Sequence, residues 1–303
     1  MTNRISTIIN HQRAVSEMTR MQNDFAKLSQ QISSGQKAST YTELGNDVTR
    51  VIDLDGSINR IDRYVTNNQV VLSRLAIQDM SMSQMLDITA QLSQDLAVEN
   101  SSSSETFNLS DRARSMLDQV ADALNVKQGG RSLFAGGKTN ADAVRDLKSG
   151  DNLDPLTSGT NASYYLGDSL VFDVKASESM TLEYGITAAD APFQKLIAAL
   201  HKAIDLDQTG GEVNRLAAQG FLEEAVDGLT GLRANLGSDM QALQDTNTQH
   251  QRVKQQLSSS LGTITETDIV EASIQIQLNE TTLTATMQTF ARISNLNLTE
   301  FLR

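Results

Sequence analysis

Over most of this chain apolar residues recur three and four apart, and proline, which would interrupt such runs, occurs only twice. One run extends from Asn46 to Val98, with Ile58, Ile61, Val65, Leu72, Leu75, Met82 and Leu86 in heptad register. A second holds the spacing through Ala218, Leu222, Ala225, Leu229, Leu232, Leu236, Met240, Leu243, His250, Val253, Leu257, Leu261 and Ile264. A narrow seam sustained this long specifies a helix packed along a partner helix, not one closing over a broad core. At a rise of 1.5 Å per residue the first run predicts a helix of about 75 Å. The second, similar in length and seam, is its natural antiparallel partner. Asn68 and Asp79 stand on the first seam, where polar residues cost stability and can fix register.

Both ends of the chain carry the same signature. Met18, Met21, Phe25, Leu28 and Ile32 step by three and four, while Ile269, Ile276, Leu283 and Phe290 fall seven apart, with Met287 between the last two. The sequence then ends on Leu298, Phe301, Leu302 and Arg303. These thirteen apolar residues, Arg303 excluded, form the expected assembly interface. One thin seam is too little to order two such helices alone, so the ends are expected to pair with each other and with neighbouring subunits. The plainer alternative is one intramolecular bundle sealed at both ends.

Between the runs, Ser33-Ser34-Gly35 is a helix stop, and Asn100 to Ser104 reads as a solvated turn. Asn108 or Ser110 can cap a third helix, with Leu109, Ala113, Leu117, Val120 and Leu124 on its apolar face and an end at Gly129-Gly130. From Lys138 to Ala189 alternation replaces heptads. Leu170, Phe172 and Val174 share one strand face, and Met180, Leu182, Tyr184 and Ile186 another. This segment is expected to be a surface-exposed decoration. Helices resume at Asp190, with Phe193, Leu196, Ile197, Leu200 and Ile204 in one stripe and Pro192 in the first turn. The expected fold is mainly α: a long antiparallel helical bundle with paired N- and C-terminal coiled-coil helices and a small β-rich inserted domain. Its domains are 1–45 with 265–303, 46–137 with 190–264, and 138–189.

Composition narrows the function classes. Aromatics are 4% of residues and cysteine is absent, so neither disulfides nor thiolate metal sites are available. A net charge of −12 disfavours nucleic acid and anionic membrane as partners. No eighteen-residue apolar run exists to span a bilayer. Met1 to Thr7 lacks the apolar core of a cleaved signal peptide, so any export is expected to proceed without one. Gly136-Gly137-Lys138-Thr139 ends like a phosphate loop, but Ser132 occupies the position of its first glycine and a helix precedes it. His11, His201 and His250 are scattered, and His250 falls on a seam where packing is its expected role. No catalytic, cofactor or metal site is expected.

Short motifs add a resemblance. Arg4-Ile5-Ser6-Thr7, Ile32-Ser33-Ser34-Gly35, Leu133-Phe134-Ala135-Gly136 after Gly130, Leu232 to Gly237, and Leu296 to Leu302 occur in an order that resembles the flagellin superfamily of bacterial axial proteins. Within it, the Leu-Phe-Ala-Gly element is similar to that of the hook-associated proteins at the hook–filament junction. The resemblance implies a non-enzymatic structural subunit whose terminal helices line the inner tube of an extracellular flagellum. It also implies self-assembly in a ring or helical tube, contact with other axial proteins, type III export, and an export chaperone on the C-terminal region. The chain departs from the family at Ala38 to Glu43, where a Pro/Ser/Asp-rich block is usual. The closing Leu302-Arg303 is similar to filament flagellin, which keeps a small filament-forming protein as one alternative and a secreted coiled-coil adaptor as another.

Overall fold

The computed structural model describes residues 2–101, 108–147, 162–207 and 211–301. Helix α1 (Thr2–Ser34) leads through a 3-10 turn at Tyr41–Asp47 into α2 (Val48–Ser101). Then follow α3 (Leu109–Leu124), two strands β1 (Lys127–Gln128) and β2 (Arg131–Ser132), and two more, β3 (Phe172–Lys175) and β4 (Thr181–Tyr184). The chain closes with α4 (Ala191–Ile204), α5 (Gly211–Thr265) and α6 (Ile269–Phe301). Two compact units result: Arg60–Arg252, and the flanking residues up to Asn59 together with those from Val253 onward.

Within Arg60–Arg252, α2 and α5 run antiparallel. Arg233 donates from Nε to Asp79 Oδ1 at 2.7 Å, Asn68 Nδ2 donates to Asn247 Oδ1 at 2.9 Å, and the Tyr64 ring stacks on His250 at 5.5 Å. Residue numbers fall along α5 as they rise along α2. The buried row of α2 is Asn68, Val71, Leu75, Gln78, Met82, Met85, Thr89, Leu92 and Leu96. Leu72 and Leu86, expected on the seam, lie half-buried on its flank. The phase differs because Gln78 and Thr89 hide the row as polar residues. Gln78 Nε2 donates to Leu133 O at 2.8 Å, so it belongs inside.

Helix α3 starts where its cap demands, with the Asp111 amide donating to Asn108 Oδ1 at 3.0 Å. Leu109, Ala113, Leu117, Val120 and Leu124 are all buried. The helix stops at Leu124, not at Gly129-Gly130. Those glycines instead form the two-residue turn of a hairpin, with φ of 57° and 79° and Gln128 paired with Arg131. Two successive positive φ values give the mirror-image turn that suits strand twist, and glycine adopts it at least cost.

The β segment is more than a decoration. In the second hairpin Phe172 pairs with Tyr184 and Val174 with Leu182. Val174 and Tyr184 join Val144, Leu147 and Tyr164 in the same buried cluster as the helical residues Leu75, Phe193 and Leu229. The described parts of 138–189 are therefore continuous with the helical core. Phe134 ties the two together: it is fully buried, meets Phe193 edge to face at 5.8 Å, and its carbonyl accepts from the Ala188 amide at 2.9 Å. Gly136 follows at φ 60°, where an added Cβ would collide with the Asp168 carbonyl oxygen.

Candidate assembly interface

Twelve of the thirteen residues expected at the interface lie on α1 and α6, which pack against each other. Their meeting point is fixed by backbone chemistry. Gly35, at φ 72°, ends α1 with its amide donating to Gln31 O at 2.8 Å. The chain then bridges to the α5–α6 connection: Lys37 N donates to Thr265 O at 2.8 Å and Thr267 N to Gly35 O at 2.9 Å. Lys37 Nζ adds a bond to Thr263 O at 2.9 Å. Asp268 starts α6 by accepting from the amides of Val270 and Glu271 at 3.0 and 3.1 Å. An antiparallel two-residue bridge and two helix caps thus hold the paired helices at one end.

Along the pair, Met18, Met21, Leu28 and Ile32 of α1 are half-buried, as are Ile276, Leu283 and Phe290 of α6. Phe25, Ile269 and Met287 remain exposed at 40, 52 and 40%. Leu298 and Phe301 fall in the last turns of α6, where side chains are not described, and Leu302 lies outside the described residues. The covered row of α6 runs Ala272, Ile276, Asn279, Leu283, Thr286 and Phe290, a four-three alternation that includes two polar positions.

The sequence reasoning missed a second row. Val270, Ile274 and Leu278 are 71, 60 and 66% exposed. At 100° per residue they project from the side of α6 opposite the Ala272–Phe290 row. The signal was legible as apolar residues four apart, but strict sevens through Ile269 and Ile276 drew attention to the other phase. Over Val270–Leu278 helix α6 is therefore apolar on two opposite sides, and α1 covers one of them.

Gly137 N donates to Asp168 Oδ1 at 2.6 Å, so the loop resembling a phosphate cradle already holds a carboxylate. That bond, with a second from the Leu170 amide, lowers the Asp168 pKa. Burial pushes the Tyr164 hydroxyl well above its ordinary value and that of Tyr165 up to about 12, and each donates to a backbone carbonyl. Among the described residues no group of three or more His, Cys, Asp and Glu side chains could hold a metal ion, and no helix is long and apolar enough to cross a membrane.

Residues 5–139 match the family described as the bacterial flagellin N-terminal helical region. No curated protein matches the chain in sequence. In fold, it is similar to a Vibrio parahaemolyticus protein assigned as flagellar hook-associated, at 15% identity and TM-score 0.56, covering 72% of this chain and 97% of that one. It is likewise similar to flagellar hook-associated protein 3 of Legionella pneumophila, at 14% identity and TM-score 0.53, covering 70 and 98%. The flagellar junction protein FlgL of the same organism aligns at 14% identity and TM-score 0.50 over 70 and 98%. Over residues 5–139 the family match bears out the resemblance to the flagellin superfamily, and the structure bears out the mainly α fold with paired terminal helices.

Proposed function

We propose that the protein is a structural subunit of the bacterial flagellum that joins hook to filament, and that it assembles through α1 and α6. The observation that carries this is the second apolar row of α6. A helix apolar on opposite sides needs two partners, and α1 supplies one. Neighbouring copies in a ring or helical tube supply the other, against Val270, Ile274 and Leu278. The similarity in fold to hook-associated and junction proteins supports the hook–filament boundary as the place. In this arrangement 1–45 and 265–303 form the inner tube, 46–137 with 190–264 the next shell, and 138–189 the outermost part. Hook-side and filament-side axial proteins are the further partners. Before assembly, an export chaperone covers Ile276, Leu283, Met287 and Phe290, taking α6 as an amphipathic helix in a groove. The protein is exported to the flagellum, catalyses nothing, and binds no cofactor, nucleic acid or membrane.

The test is deletion in the source bacterium. Cells lacking the protein should be non-motile, with hooks that carry no filaments, and an intact copy should restore them. Hooks that keep their filaments would overturn the proposal. If the purified chain alone grows long filaments, it is a filament flagellin instead.

A further inference from the structure

The helix pair α2–α5 raises a question that its apolar residues cannot answer. Leu222, Leu229, Leu236 and Leu243 are all buried, all leucine, and spaced by sevens. Sliding α5 along α2 by one heptad puts leucine where leucine was. Such a ladder specifies a pairing but not a register.

Three side-chain pairs break the degeneracy. After a one-heptad slip, Asp79 would face Val226 or Met240 in place of Arg233. Tyr64 would lose His250 to Leu243 or Leu257. Asn68 would face Met240 or Lys254 in place of Asn247. The three pairs do not weigh equally. The Asp79–Arg233 side chains are 36 and 33% exposed, so solvent can replace that bond. Asn68 is fully buried, and a slip would leave its amide without the Asn247 partner and without water. Asn68 also donates to the Ala176 carbonyl at 3.1 Å, and His250 Nε2 lies 2.9 Å from that same oxygen. Ala176 directly follows β3, so one backbone oxygen of the hairpin meets a side chain from each long helix only when the two helices are aligned.

We infer that Asn68, Asn247 and the Ala176 carbonyl form a register lock. It selects one alignment of α2 on α5 from those the leucine ladder permits, and it ties that selection to docking of the β3–β4 hairpin. Asn68 and Asn247 are positioning residues, held in the core for specificity and not for net stability, a role buried polar pairs fill in coiled coils.

The chain has no cysteine, so nitroxide labels can be placed on Gln69→Cys and Thr230→Cys, both exposed, and their separation measured by pulsed electron resonance. The unaltered pair should give one narrow distance. With Asn68→Leu and Asn247→Leu added, a second population should appear, displaced by several ångströms and by at most about 10 Å, the rise of one heptad. Asp79→Leu with Arg233→Leu should keep the single distance. If the double leucine variant does not fold, Asn68→Ala with Asn247→Ala, which avoids overpacking, takes its place with the same expectation. A single unshifted distance in the folded variant would overturn the lock and assign the register to the apolar core and connections alone.

Discussion

Replacing Val270, Ile274 and Leu278 together by serine separates assembly from folding. At 71, 60 and 66% exposure, the three side chains leave about two full side chains' worth of apolar surface in water. Full burial of one such side chain contributes about 2 kcal/mol, so covering the row should favour assembly by about 4 kcal/mol per subunit. That corresponds to roughly 10³-fold in affinity. It is an upper figure, since association also costs side-chain and rigid-body freedom. The isolated chain should notice little, because exposed substitutions away from caps and cores shift stability by about 0.5 kcal/mol or less. The assays are urea denaturation of the purified variant and quantitative blotting of the protein in sheared flagella. Unchanged denaturation with incorporation reduced by tenfold or more is the expected pair of results. Normal incorporation would show that the row is solvated in the flagellum, and the two-partner argument for α6 would fail with it.

Phe134→Ala should be far more costly to the isolated chain: removing a fully buried ring packed on Phe193 should cost about 3–5 kcal/mol in urea denaturation. A loss below about 1 kcal/mol would refute the role given to Phe134 as the link between loop and helical core. Stability should also decline on mild acidification. Burial holds the His201 imidazole below its ordinary value, against a weaker opposing pull from Asp205. The unfolded chain therefore binds the proton more tightly, and the stabilisation, complete above about pH 6.5, is lost as pH falls below it. Denaturation midpoints should drop between pH 7.5 and 5.5, and His201→Gln should flatten that decline; an equal slope in the variant would place the titration elsewhere. Asp190, raised chiefly by burial, acts with the opposite sign at lower pH.

The long helices, the capped α3 and the paired ends were legible because each rests on local rules: spacing, caps and missing prolines. Asn108 did what a capping side chain does, and His250 packs on Tyr64 as a seam histidine should. What the sequence concealed depends on neighbours. The phase of α2 shifted from Leu72 to Val71 because the helix is covered by more than one partner, and a single-seam template follows the larger leucines. Gly129-Gly130 marks a helix stop and a hairpin turn equally well; the four strand residues around it are too few for alternation to decide. The β segment looked peripheral because its apolar residues are sparse. Phe134, Tyr164 and Tyr184 nevertheless reach one core by folding back over distances that no local pattern encodes. In the candidate interface the error was of emphasis: sevens identify a seam and say nothing of the opposite side.

The two units differ in what they can do alone. In Arg60–Arg252 helices, hairpin and loops share one buried cluster, in which residues as distant as Leu75 and Leu229 take part. Among the residues of the terminal unit whose side chains are described, the buried apolar ones are Val51 and Ala272. A unit with so little buried apolar surface has a low free energy of opening. Its order rests on the Gly35–Thr267 bridge, the Asp268 cap and a half-buried seam. For an isolated domain that would be a defect. For helices that, in the proposed assembly, exchange water for neighbouring subunits it is a requirement, since apolar surface sealed within the monomer could not also drive assembly. On that proposal the dense unit fixes the subunit's own structure, and the sparse one keeps its apolar rows available to other chains.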